Sequence, residues 1–272
     1  MTYVPFQPTA RTAEQAWRAR LLDVLECGYE VAPRGLPTLE RLHPPPMVFS
    51  LERPVVVCPE RKLNRQFMVT EPLLALSGDN RVSSLAPYIK GMRKYSDDGE
   101  TFRGAYGPMI VDQLPWCVDQ LLADRDTRQS VLTIWRPRPG PSKDVPCCVS
   151  MGFNIRNGYF NALVHMRASD VWLGCPYDLF TFSMIAWRAL LWYNSREDPA
   201  LPLVVPGQLA FMATNSQVYL EHLEEATRVA ALPLSGRGPK FDLPSNGTWE
   251  ELEQRLLLMR SHPEGADWND EP

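Results

Sequence analysis

The sequence predicts an α/β protein in the broad sense (α+β), and three observations predict it. Asn157-Gly158 is the strongest short-range hairpin signal, and residues 148–155 and 159–166 on either side of it read as antiparallel strands. Residues 12–27 carry apolar side chains at 16, 17, 21, 22, 24 and 25 and stop at Gly28, as an amphipathic helix does. Residues 179–193 are apolar nearly throughout, which suits a central core helix and makes their aromatic run packing rather than a cofactor box. At 272 residues the chain can bury a sizeable core, so one domain over residues 1–272 is expected.

The other elements follow in order. Residues 32–38 form a loop in which Arg34 stands beside Gly35. Residues 47–58 are strand-like, and residues 67–76 read as a buried helix carrying Glu71 and stopping at Ser77-Gly78-Asp79-Asn80. A carboxylate in so apolar a segment is expensive unless paired or functional. Residues 116–122 make a further helix, and Asp126-Thr127-Arg128-Gln129 precede a β-branched strand at 131–135. A two-residue turn at Asn157-Gly158 makes paired numbers sum to 315, which sets Cys148 opposite Arg167 and Cys147 opposite Ala168. A thiol and a guanidinium then meet at one end of the hairpin, and a fixed cation favours the thiolate. From residue 233 come a loop, a helix over 249–260 and an acidic tail.

Composition narrows the function. A net charge of −4 and a pI near 5.7 argue against a nucleic-acid or anionic-membrane surface binder, so an anionic substrate must be met by a few local arginines. The six cysteines show no paired spacing and the four histidines no metal-ligand spacing; reduced thiols, no metal and a cytoplasmic location are expected. The N-terminal residues lack the marks of a signal peptide, and no apolar run approaches the roughly 18–20 residues of a membrane span.

Several motifs resemble the thymidylate synthase family. Val145-Pro146-Cys147-Cys148 stands where that family has PPCH, and Arg167-Ala168-Ser169-Asp170 with Leu173-Gly174-Cys175-Pro176-Tyr177-Asp178 stand where it has RSAD and LGxPFN. The segment over 67–80 is similar to HELLWFLSGDTN, residues 101–107 to LGPVYG, and residues 207–223 to GELVHTLGDAHLYLNHL. The resemblance covers roughly residues 15–230.

It implies a large mixed, mostly antiparallel sheet backed by helices, two such sheets packing back to back in a homodimer. It implies Cys147 as the nucleophile adding to carbon 6 of a pyrimidine nucleotide, Glu71 as the general acid/base and Tyr106 as the active-site tyrosine. Arg167, Arg34 and Arg128 would hold the phosphate, Arg128 in trans from the neighbouring subunit. Asp170 and Gly174 would meet 5,10-methylenetetrahydrofolate, the one-carbon donor, and Gln217 and Tyr219 the sugar.

The departures choose among members. The family's uracil-reading asparagine is Asp178 here, which suits the exocyclic amine of cytosine and marks cytidylate hydroxymethylases. As a mere helix N-cap Asp178 would need no such role. The synthase's tryptophan upstream of Tyr106 is replaced by Met92, and the final residues are acidic where the synthase has an apolar cap. Both features suggest that water captures the exocyclic methylene, giving a 5-hydroxymethyl product. Ala168 replaces the serine after the phosphate arginine and Gln217 the sugar histidine, as in the CMP hydroxymethylases of nucleoside-antibiotic pathways. The expectation is therefore CMP, then dCMP, then thymidylate synthesis, with a catalytically silent nucleotide-binding homologue as the rival from another class.

Overall fold

Local capping sets where the chain turns into helix. Thr12 Oγ1 accepts the Gln15 N–H at 3.1 Å and opens helix α1 (Ala13–Cys27). The computed structural model describes residues 10–89, 91–137, 140–196, 202–234, 239–241 and 246–263; the N-terminal residues 1–9 and the acidic tail lie outside them. Strands β1 (Tyr29–Val31), β2 (Thr38–Leu42) and β3 (Met47–Ser50) follow. Asn64 then caps helix α2 (Arg65–Ser77) through the Phe67 N–H, and Gly78, at φ 74°, ends it. Next come α3 (Val82–Leu85), α4 (Gly107–Ala123), β4 (Val131–Thr133), β5 (Cys148–Arg156), β6 (Tyr159–Met166) and β7 (Ser169–Asp170). Helix α5 (Cys175–Asn194), strands β8 (Val205–Ala213) and β9 (Asn215–Tyr219), and helices α6 (Leu223–Ala230) and α7 (Trp249–Ser261) complete the order.

The strands form two ladders, β3-β8-β6-β5-β4 and β1-β2-β9-β7, antiparallel except for the pairs β6/β8 and β7/β9. Those parallel pairs are one feature. Met166 pairs with Ala213 and Ser169 with Ser216, so the offset of 47 residues is unchanged from one ladder to the next. Between them the Thr214 N–H donates to the Met166 carbonyl at 2.9 Å. The sheet therefore bends at Arg167-Ala168 and Thr214 without losing register.

Its inner face carries Met151, Phe153, Ile155, Phe160, Val164 and Phe211, all buried, and packs on α5. That helix is apolar all round because it is covered all round, by α1, α2, α4 and the sheet. Trp187 locks it to the strand end after β3 with a 2.9 Å bond from Nε1 to the Leu51 carbonyl. The outer face of the five-stranded ladder is uncovered, with Val131 43%, Tyr159 46%, Leu163 40% and Met212 39% exposed. No helix among the described residues is long and apolar enough to cross a membrane.

Several expected boundaries move. The strand expected over 47–58 ends at Ser50, where the Arg53 N–H bonds back to the Ser50 carbonyl in a tight turn. The strand expected over 131–135 ends at Thr133, because the Ile134 and Trp135 amides both converge on the Val149 carbonyl. The core helix begins at Cys175 rather than 179, Pro176 being acceptable in a first turn, and residues 116–122 are only the end of α4.

One close approach holds β6 to β8. At Gly207 an added Cβ would lie 2.4 Å from Asn161 Oδ1 and 2.8 Å from the Phe160 carbonyl, just where the parallel register shifts. Gly207→Ala is expected to lower unfolding free energy by ~1–3 kcal/mol in urea denaturation, through forced displacement of packed backbone.

Candidate active site

The hairpin turn is as the sequence predicts, with Arg156 opposite Tyr159, and the pairs sum to 315 as far as Ser150 and His165. A β-bulge then intervenes, and Cys148 pairs with Met166 instead of facing Arg167. The Arg167 N–H donates to the Cys147 carbonyl at 2.8 Å. The extra residue is Val149, whose carbonyl collects the two amides arriving from beyond β4. The expected opposition of Cys148 to Arg167 is thus corrected by one residue, and Cys147 becomes the neighbour of Arg167.

The slip also separates the two thiols by environment. Cys148 is fully buried, its Sγ directed to the Ser150 carbonyl. Cys147 is half-buried and lines an open cleft of about 830 Å³. Glu71 and Tyr106 share that wall, with Thr181 and Asp144 beside them. Three of the four expected catalytic residues therefore meet in one cavity.

The thiolate expectation does not hold. Burial pushes the Cys147 thiol above its usual range; Arg167 and Arg34 oppose this, while Asp178 and Asp144 reinforce it. The Arg167 guanidinium donates to backbone, with Nε on the Pro146 carbonyl at 2.9 Å and Nη2 on that of Val145 at 3.1 Å, and Nη1 has no hydrogen-bond partner among the described residues. It also lies over the Trp135 ring, 5.9 Å from its centre. It braces the loop that carries the cysteine.

Glu71 accepts a 2.8 Å bond from Thr181 Oγ1, and burial pushes its carboxyl up to about 7. Asp178 lies in the first turn of α5, and its side chain makes no N-cap bond. Burial, with Glu71 and Asp170 adding repulsion, holds its carboxyl well above the carboxylate range. Tyr106 precedes α4 and stacks on Phe182 at 5.7 Å; burial raises its phenol too.

The remaining residues sit around this cluster. Asp170 Oδ1 is held by the N–H groups of Trp172 (3.0 Å) and Leu173 (2.8 Å), and burial raises its carboxyl. A Cβ on Gly174 would meet Asp178 Oδ2 and the Asp170 carbonyl only at ordinary contact distance. Gln217 is on β9, and its Oε1 is buried without a hydrogen-bond partner among the described residues. Arg34 occupies a left-handed position (φ 56°) in an exposed turn near Tyr219, where its charge opposes the rise that burial gives the phenol. Ala168 falls at the bend between β6 and β7. Arg128 is exposed between α4 and β4 and does not line the cavity of its own chain.

Sequence reasoning missed four participants. Asp144 precedes Cys147 by three residues and lines the cleft. Asp79 and Arg81 form an ion pair at its edge, a pairing that a helix stop conceals. Arg61 lies 4.4 Å over Trp172 and donates to its carbonyl, bracing the turn that presents Asp170.

The thymidylate synthase family profile matches residues 15–253. The chain belongs to the thymidylate synthase family. It is 29% identical over 256 residues to a deoxyuridylate hydroxymethyltransferase of Pseudomonas phage M6, covering 84% of this chain and 70% of that one. A deoxyuridylate hydroxymethyltransferase of Bacillus phage SP01 is 30% identical over 195 residues, 61% of this chain and 50% of that one. The thymidylate synthase of Enterobacteria phage T4 is 24% identical over 266 residues, 87% and 89% of the two chains.

As a thymidylate synthase family member the protein is a folate-dependent transferase of a one-carbon unit to C5 of a pyrimidine nucleotide. Methylenetetrahydrofolate supplies that carbon. The residues present fit such a carrier. Oδ2 of Asp170 is left to accept from a ring N–H, and Leu74, Leu85, Met92 and Phe102 give the cleft an apolar wall.

The sign of the Glu71 effect on folding can be worked out. Burial raises its folded carboxyl to about 7 from an ordinary 4.5, so the unfolded chain releases the proton first. Stability from this group is full below about pH 4.5 and is lost as pH rises through 7. Glu71→Gln should therefore gain stability relative to wild type across that window, read from denaturant midpoints at stepped pH.

Proposed function

We propose that this family member is a cytidylate 5-hydroxymethyltransferase that takes CMP, and that Asp178 selects the base. The observation that carries the reading is the placement of the Asp178 carboxyl, buried in the first turn of α5 beside Glu71 and Asp170, surroundings that favour its protonated form. A neutral carboxyl donates its O–H to N3 of cytosine while its other oxygen accepts from the 4-amino group. As Cys147 bonds to C6, electron density moves onto N3, and the acid passes its proton there. The carboxylate left behind then accepts from both N–H groups. O4 of uracil is a far poorer base than N3 of cytosine, so the same transfer favours uracil less.

The other roles follow from position. Cys147 loses its proton as its sulfur bonds to carbon, and Glu71, titrating near 7, carries protons through water at the ring. Tyr106 closes the wall, and Arg167 and Arg34 supply guanidinium for the phosphate. Met92 on the cleft wall, in place of a bulkier ring, supports water reaching the exocyclic methylene. The unpartnered Oε1 of Gln217 and the small Ala168 support a ribose, whose 2′-hydroxyl can donate. The uncovered apolar face of the five-stranded ladder supports a back-to-back homodimer, and the exposed position of Arg128, just before β4 at its edge, supports its reaching the other subunit's phosphate. The acidic balance supports free nucleotide, rather than nucleic acid or membrane, as the ligand, and a cytoplasmic setting.

The phage relatives' names favour a second reading, deoxyuridylate hydroxymethylation. Product analysis and kcat/KM on CMP, dCMP and dUMP separate the two. Wild type should favour CMP over dUMP by at least about 100-fold, and Asp178→Asn should move that ratio toward uracil by about 100-fold or more. A wild type best on dUMP, with Asp178→Asn leaving the base preference untouched, overturns the cytidylate reading.

A further inference from the structure

The cleft wall holds three carboxyl groups, and two are committed to side chains. Glu71 is held by Thr181 Oγ1 at 2.8 Å. Asp79 is held by Arg81, with Nε 3.0 Å from Oδ1, and by Ser84 Oγ at 2.8 Å. Asp144 is different. Its Oδ2 accepts the Gly104 N–H at 2.7 Å, and its Oδ1 has no hydrogen-bond partner among the described residues. Because Oδ1 is not among the buried, unsatisfied atoms, it is open to water.

Its location matters as much as its partners. Asp144 lies three residues before Cys147 and close enough for its charge to raise the thiol. It also borders a second, smaller hollow with room for about one water, walled by Arg103, Met109, Ile134 and Ser142. Gly104, Ala105, Asp144 and Pro146 are common to both cavities, so this carboxylate stands on the partition between substrate cleft and a side chamber. Gly104 is required for that position, since a Cβ there would fall 2.7 Å from Asp144 Oδ1. Burial and Asp97 raise the carboxyl, which brings its basicity nearer to that needed for taking a proton from water.

We propose that Asp144 is the catalytic base that activates the water captured by the nucleotide, its tethered carboxylate holding that water at the cleft wall. The inference rests on the hydroxymethyl reading given above. In the step, the water oxygen bonds to the exocyclic methylene carbon while one water proton passes to Asp144 Oδ1. The methylene π electrons move into the ring toward C4. They return to form the C5–C6 double bond as the C6–S bond breaks, which releases Cys147 as thiolate and the 5-hydroxymethyl nucleotide. No oxidant or reductant is needed, and the carboxyl returns its proton to solvent.

The test separates steps before and after water capture. Asp144→Asn keeps an oxygen for the Gly104 N–H but no base. In single turnover, with enzyme in excess over 5-[³H]-CMP and methylenetetrahydrofolate present, the rate of 5-hydroxymethyl formation should fall about 100-fold or more, and that of tritium release less than about 5-fold. Intact-protein mass spectrometry should show nucleotide adduct accumulating on Cys147, and added 2-mercaptoethanol should trap it as the 5-thioether. A proportional loss of both signals, or no loss of either, overturns the proposal.

Wild type gives a measurement that needs no variant. The ratio of thioether to hydroxymethyl product at fixed thiolate concentration should rise as pH falls through the Asp144 carboxyl, and a flat ratio counts against the proposal. If wild type makes 5-methyl nucleotide and dihydrofolate instead, the hydroxymethyl reading fails and the role of Asp144 with it. If wild type hydroxymethylates but Asp144→Asn keeps the same partition, only the role of Asp144 fails.

Discussion

A single backbone bond, from the Arg167 N–H to the Cys147 carbonyl, fixes the arrangement on which the site depends. It exists because one residue, Val149, is extruded from an otherwise regular hairpin. The bulge turns one of two adjacent cysteines into the core and leaves the other on the cleft wall. It also lets the Arg167 side chain reach back to the carbonyls of Val145 and Pro146, so the loop carrying Cys147 is held from both main chain and side chain.

Around that loop the dominant electrostatic effect is loss of water rather than the presence of cations. Burial is the largest influence on Cys147, Glu71, Asp170 and Asp178, and it favours the neutral form of each. Repulsion from Glu71 and Asp170 adds to this effect at Asp178. The same cluster is primed to move protons when a base with its own acceptor and donor groups arrives. Thr181, contributed by α5, ties Glu71 to the helix that also carries Asp178, so both acids share one rigid support.

Much of this was legible in the residues. The turn at Asn157-Gly158, the helix after Thr12 and the apolar run within α5 each announce themselves by local chemistry, and the structure contains all three. The motif around Cys147 pointed to the family, which the profile match shows. What was hidden is non-local. A bulge at Val149 is decided by two amides arriving from residues 134 and 135, which no pattern within β5 encodes. The Cys147 thiol was expected to be ionised because sequence supplies neighbours but not burial. Asp144 gave no signal either, since its importance comes from Gly104, distant in the chain. Asp178 was read as a departure from the family, but the burial that raises its carboxyl, and the repulsion Glu71 adds, arise only from packing of α2 on α5.

The unbroken offset of 47 residues between the two long segments has its own consequence. Neither segment can slide along the other without unzipping both ladders at once. Arg167 at the bend and Asp170 just beyond it are therefore parts of a single stiff beam, as are Gln217 and Tyr219 on the facing segment. A displacement imposed at Arg167 is thereby passed by main chain to Asp170 and to the facing segment as a tilt.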